Sequence, residues 1–223
     1  MQFNRRAALG LSSLLVLAIF SCMIIPLALG DNSSDNATKG IQLYQENFST
    51  SKNSAWGADL SKNFSYYFEN GKYHLMVDSL NSWRPVSYGS NYTDFIIEVE
   101  TTQESGPNDN TYGMILRKVD WNNYYDFLIS SDGYYEIAKL ENNIWAPTSW
   151  KKSSAINTGN ATNLMRVVCD GNKFSFYVND VKLDDYTDDS FPSGMIGFTA
   201  GTNFSPGTVT IGFDNLKIWE IQK

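Results

Sequence analysis

The chain of 223 residues holds one histidine, two cysteines and six prolines, and it sets 17 basic side chains against 24 acidic ones. Each shortage excludes something. His74 is the one histidine and lies in the strand-like stretch "KYHLMV", so neither a Ser-His-Asp triad of recognisable motif nor a histidine-rich zinc site is supported. Cys22 falls within an apolar N-terminal run, which leaves Cys169 as the one cysteine of the remainder and no internal disulfide to form. In "NLMRVVCDG", Cys169 shares strand parity with Met165 and Val167 and reads as a small buried hydrophobe. Nothing there supplies the basic, exposed setting that a reactive thiol wants. The net charge of −7 repels phosphate backbones and argues against a nucleic-acid partner. No glycine loop is built to cradle phosphate; the glycines of "SSDGYY" and "GMIGF" are hairpin glycines.

What is present begins with "MQFNRRAALGLSSLLVLAIFSCMIIPLALGDN". Arg5 and Arg6 precede a long apolar stretch, and Ala28-Leu29-Gly30 offers small residues for cleavage. Residues 1–30 are therefore expected to be a signal peptide. The apolar run is also long enough for an uncleaved membrane anchor, the chain's one contact with a membrane. Residues 31–41 are expected to form a polar linker, and 42–223 a single domain, large enough for one well-filled core. Without Arg5 and Arg6, and with no acid before Asp31, the net charge moves from −7 to −9. N-x-Ser/Thr sequons at Asn32, Asn36, Asn47, Asn63, Asn91, Asn160 and Asn203 fit secretion or display at the cell surface, as a glycoprotein where the host adds glycans.

The rest alternates short strands with tight turns. "DFIIEVETTQ", "TYGMILRKV", "NYYDFLIS", "GYYEIAKLE", "KFSFYVND" and "VTIGFDNLKIWEI" are rich in aromatic and β-branched residues. Asn-, Asp- and Gly-rich clusters such as "ENGK", "SSDG", "ENN" and "VNDVK" separate them. Such pairs accept the positive φ angles of two-residue hairpins. No stretch after the N-terminal segment shows a 3.6-residue apolar period. The expected fold is an all-β, two-sheet antiparallel β-sandwich.

The succession "NLMRVVCDGNKFSFYVNDVKL", "GMIGFTAG" and "VTIGFDNLKIW" resembles concanavalin A-like jelly rolls, above all laminin-G-like domains and the 3-keto-disaccharide hydrolase-like domain of secreted microbial proteins. The segment "YGMILRKVDWNNYYDFLISSDGYYEIAKL" follows the same scheme, and the resemblance runs from about Leu43 to Ile221. It implies a jelly roll and carries no activity by itself, because this sandwich hosts lectins, glycosidases and inert modules alike.

Two features point toward chemistry. "EVETTQE" places Glu98, Glu100, Thr102 and Glu104 on one strand face. Laminarinase-like glycosidases of this fold carry Glu-x-Asp-x-Glu on such a strand, and here Thr102 stands where the aspartate belongs. A catalytic role is not expected there; a wet, charged face is. Parity also turns Phe95, Ile97 and Val99 inward, with Tyr112, Met114, Leu116, Tyr125, Phe127 and Ile129. Were these successive strands neighbours, Glu98, Glu100, Arg117, Tyr124 and Asp126 would share one outer face beside Gly113. Carboxylates and arginine bind ring hydroxyls, and aromatic rings pack on sugar C–H faces, so this face is a candidate carbohydrate site. An ordinary ion network centred on Arg117 explains the same pattern.

Trp83, Trp121 and Trp145 fall in turn-like stretches where an exposed indole either folds down or meets a ligand. Trp150 is open between the two, whereas Trp56 and Trp219 suit packing. Glu46 and Asp214 are candidate ligands for a structural Ca²⁺ tying the first strand to the last. Apolar parity changes at Asp214-Asn215, which implies a bulge. The expected function is carbohydrate binding at the cell surface. The alternatives are a structural surface glycoprotein, an envelope or filament subunit contacting copies of itself, and a glycoside hydrolase.

Overall fold

The computed structural model describes residues 37–222, apart from Asn53, Pro147 and Phe204. The expected signal segment and the sequons Asn32 and Asn36 lie outside the described residues. All regular structure among these residues is β. The strands, in chain order, are β1 (Thr38–Glu46), β2 (Asp59–Leu60), β3 (Phe64–Glu69), β4 (Lys72–Val77), β5 (Ser82–Tyr92), β6 (Phe95–Ser105), β7 (Asn110–Asp120) and β8 (Asn123–Ile129). There follow β9 (Tyr134–Glu141), β10 (Ile144–Trp145), β11 (Lys151–Lys152), β12 (Thr162–Asp170), β13 (Lys173–Val178), β14 (Val181–Thr187), β15 (Gly194–Thr202) and β16 (Val209–Gln222). One sheet runs β14-β13-β12-β6-β16-β4-β3-β2, with β1 added along β16. The other runs β10-β9-β8-β7-β15-β5, with β11 on β9. All pairings are antiparallel.

Within the expected linker, residues 38–41 are strand. From Thr38 onward the backbone is already strand, paired with β16 from Thr38↔Gln222 to Glu46↔Leu216. The free hydrogen-bonding edge of β16 captures a polar segment whose composition alone reads as flexible.

The two sheets meet through the side chains that period-two patterning turns inward. Phe95, Ile97 and Val99 of β6 and Tyr112, Met114 and Leu116 of β7 belong to one core, and all are fully buried, as are Phe127 and Ile129 of β8. Trp56, buried as expected, stacks 4.5 Å from Phe198, which in turn stacks 4.2 Å from Phe213. Each such side chain contributes about 1.5–3 kcal/mol of burial. Cys169 is among them, and burial pushes its thiol up to about 12, which keeps it unreactive.

The turns obey their composition. Asn70 and Gly71, Asn142 and Asn143, and Asn179 and Asp180 all take positive φ, between 50° and 75°, at the β3–β4, β9–β10 and β13–β14 hairpins. The bulge expected in the last strand is present: Asn215 has φ 52°, and the β16–β6 register shifts between Asp214 and Lys217.

Sequential strands are not always neighbours, and this corrects the expected binding face. β6 lies between β12 and β16, whereas β7 lies between β8 and β15 in the opposite sheet. Glu98 and Glu100 are therefore on the outer face of one sheet, and Tyr124 and Asp126 on that of the other.

Candidate functional site

Arg117 is the second correction. The β7–β8 register breaks between Leu116 and Asp120, and Arg117 takes φ 47°, so alternation fails where it was used to point this side chain outward. Its guanidinium is fully buried at one end of the sandwich. Nε and Nη2 donate to the Thr93 carbonyl at 3.1 and 2.6 Å, and Nη1 donates to the Gly171 carbonyl at 2.7 Å. The group lies 4.8 Å from the centre of the Phe174 ring. A planar fork with several fixed donors can bridge two backbone turns at once. Arg117 pins those turns together from a fully buried position.

Glu98 and Glu100 are likewise engaged. Glu98 accepts Lys39 at 2.7 Å and faces Arg166 at 4.0 Å, while Glu100 accepts from the Asn215 side chain at 3.2 Å. Glu104 is paired with Lys72 at 2.6 Å. The glutamates of the "EVETTQE" strand are thus engaged in ion pairs and a side-chain hydrogen bond. Of the calcium candidates, Glu46 accepts the Phe48 amide and the Ser54 hydroxyl, each at 3.0 Å, and Asp214 accepts the Asn215 amide at 2.6 Å. No cluster of three or more His, Cys, Asp or Glu suited to a metal occurs among the described residues.

The chemistry gathers on the outer face of the seven-stranded sheet. A cleft of about 360 Å³ is lined by Trp83 of β5, Thr111 of β7, Asp126 and Leu128 of β8, and Glu136 and Ala138 of β9. Trp145 of β10, Thr148, Trp150 and Asn203 complete it. Register explains the assembly. Gly201 of β15 lies between Trp83 and Thr111, and a Cβ there would stand 2.7 Å from Thr111 Cγ2, so only glycine lets the indole and the threonine share one row. Gly113 is held as tightly: a Cβ would stand 2.0 Å from the Phe127 carbonyl oxygen. The room expected beside it is filled by backbone.

Asp126 sits opposite Ile115 on β7 and Ala138 on β9, neither of which offers a polar side chain. It is fully buried, and both carboxylate oxygens lack a hydrogen-bond partner. Burial, reinforced by nearby Glu136, pushes its carboxyl well above the usual carboxylate range, and burial raises Glu136 as well. Thr111 Oγ1 and the Tyr124 hydroxyl are also buried without a partner. Three of these unpartnered atoms, the two Asp126 oxygens and Thr111 Oγ1, belong to residues that line the cleft, where a ligand or solvent could complete their bonding.

The aromatic side chains form a wall. Tyr124 is buried under Trp83, their rings 13° from parallel with centroids 6.2 Å apart, and Trp145 meets both edge-on at 5.9–6.0 Å. Trp145 and Trp150 stay 45% and 37% exposed. Trp121 does not join them: it is on the β7–β8 hairpin, where Lys118 Nζ lies 4.0 Å from its ring centre. Trp219 is half-buried beneath Lys39 at 4.1 Å. Of the residues expected from sequence, then, Tyr124, Asp126, Trp83 and Trp145 converge, and Glu98, Glu100, Arg117 and Trp121 do not. Glu136, Thr111 and Trp150 complete the group. Glu136 carried a usable signal, since it shares parity with Ala138 and Leu140 in "YYEIAKLE". Asn47, Asn63, Asn91 and Asn160 are exposed, whereas the sequon residue Asn203 is half-buried in the cleft lining.

No protein-family model and no curated protein matches the chain. Solved structures do. A carbohydrate-binding module, CBM66 from Bacillus subtilis, superposes with a TM-score of 0.62 at 18% identity, over 75% of this chain and 96% of that one. A Bacillus licheniformis beta-glucanase gives 0.61 at 11% identity, over 83% and 100%. The catalytic domain of an endo-1,3-beta-glucanase (laminarinase) from Thermotoga petrophila gives 0.58 at 8%, over 83% and 100%. At such identities the likeness establishes the fold, a concanavalin A-like jelly roll.

Proposed function

We propose that this chain is an exported carbohydrate-binding module whose ligand occupies the cleft between Trp83, Asp126 and Trp145. The observation that carries this is the meeting, on one sheet face, of exposed indoles with buried carboxylate oxygens that have no partner. Indole faces pack against the C–H faces of pyranose rings, and carboxylates take ring hydroxyls. The binding module among the structural neighbours supports this reading by its name, and the hydrolases among them leave catalysis as the rival. A hydrolytic pair needs one ionised carboxylate beside one protonated partner. Burial raises both Asp126 and Glu136, so the carboxyl pair by itself does not separate binding from cleavage; the exposed indoles beside it are what favour binding. The exposed sequons at Asn47, Asn63, Asn91 and Asn160 support a destination outside the cell.

The test is a glycan array probed with the wild-type chain and with Trp145→Ala. Glycans that the wild type retains and the variant loses support the reading; silence across neutral, acidic and amino-sugar glycans defeats it.

A structural role among copies of the chain has one observation in its favour. Among the described residues β1 pairs only with β16, and its Ile41 and Leu43 are 71% and 44% exposed, an apolar edge of the kind that recruits a further strand. Size-exclusion chromatography separates the readings, because a monomer at high concentration removes this one.

A further inference from the structure

Several carboxylates of this protein come with cations. Glu98 has Lys39 at 2.7 Å, Glu104 has Lys72 at 2.6 Å, Asp188 has Lys139 at 2.8 Å and Asp185 has Lys182 at 3.0 Å. Asp126 contrasts with all of them. It is fully buried, its two oxygens face no donor among the described residues, and the cleft lining contains no Lys, Arg or His. Its ionisable neighbours are Glu136, diagonal to it across the β8–β9 register, and the Tyr124 phenol two residues away on its own strand. On the neighbouring strand β7, Thr111 lines the cleft and Gly113 and Ile115 share its strand parity, and none of the three carries a charge. Lys152 of β11 lies 5.4 Å from the ring centre of Tyr134, outside this lining.

From this geometry we infer that the cleft selects a sugar bearing a protonated primary amine, a hexosamine whose nitrogen is not acylated, with the ammonium held between Asp126 and Glu136. The inference rests on the carbohydrate reading of the cleft. Diagonal cross-strand side chains are roughly 7–8 Å apart at the backbone, a span that an ammonium donating in two directions can bridge. The ligand thereby supplies the counter-charge that the protein withholds, and its positive charge draws both carboxyls back toward the ionised form. Three unshared N–H donors meet oxygens that have none. The aromatic wall decides for an organic cation over a metal ion. Indole faces attract ammonium groups, while calcium asks for six or more oxygens and the lining offers two carboxylates with a few hydroxyls and an amide.

The test is calorimetric titration of the full chain with oligomers of glucosamine, of N-acetylglucosamine and of glucose (cellohexaose), at a pH between the ordinary carboxylate and amine ranges. The glucosamine oligomer is expected to bind about 10-fold tighter than the other two, the scale of a charge-assisted hydrogen bond. Asp126→Asn and Glu136→Gln should each erase that preference, and Asp189→Asn, an exposed acid outside the cleft that changes net charge equally, should leave it intact. Equal affinity for all three oligomers overturns the inference and leaves carbohydrate binding standing. Failure of all three, together with a silent glycan array, takes down carbohydrate binding itself. A preference lost equally in Asp189→Asn assigns the effect to overall charge and overturns the inference. Tight binding of the glucose oligomer only when Ca²⁺ is added overturns it in favour of a metal.

Discussion

Asp126 and Glu136 stand diagonally across neighbouring strands, Asp126 opposite Ala138 and Glu136 opposite Leu128, on a sheet face where carboxylate oxygens lack partners. Two acids this close, one fully buried, cost the fold stability when both are ionised. Under the proposed reading, a bound ligand would offset that cost.

That relationship sets a pH dependence. Asp126 has its folded carboxyl raised above the ordinary value of 3.8, so the folded state holds a proton that the unfolded state gives up. Its contribution therefore favours the fold below that value and is lost as pH rises toward the raised one. Asp126→Asn should melt higher than wild type near pH 8, with the gap closing toward pH 4, at about 2–4 °C for each kcal/mol in a chain of this size. Thermal scans across pH measure this. A gap that widens toward acid would contradict it.

Arg117 is expected to be a fold residue. Arg117→Met leaves the carbonyls of Thr93 and Gly171 without their buried donor and should cost about 3 kcal/mol or more in urea unfolding. Arg117→Lys should recover little, since one ammonium cannot reach both turns. Glycan affinity of whatever remains folded should be unchanged.

The tryptophans should divide by position. Trp145→Ala and Trp83→Ala are expected to weaken glycan binding by about 10-fold or more, the cost of truncating an aromatic anchor. Trp121→Ala should have no effect, because its ring packs under Lys118 away from the cleft. Affinity electrophoresis in polysaccharide gels ranks all three.

Glu104→Gln, which removes an exposed ion pair, and Glu100→Gln, which keeps an acceptor for the Asn215 side chain, should each change stability by about 1 kcal/mol or less and leave glycan binding untouched. A loss of binding in either would return function to the "EVETTQE" face.

Alternation in the sequence determined the two-layer sandwich, the inward sets on β6, β7 and β8, the Asn- and Gly-rich hairpins, and the bulge at Asp214-Asn215. These follow from local rules: side chains alternate along a strand, and few residues accept positive φ. It also separated Asp126 and Tyr124 from the core. The tertiary structure alone decided which strands are neighbours, and so parted Glu98 and Glu100 from Asp126 and brought Glu136, Trp83, Trp145 and Trp150 to it. Pairing between strands far apart in the chain depends on which edges close the two sheets, and no local pattern encodes that. Arg117 shows the same limit at one residue. A single bulge reverses parity, and the inverted side chain then reaches carbonyls of turns far away in the chain.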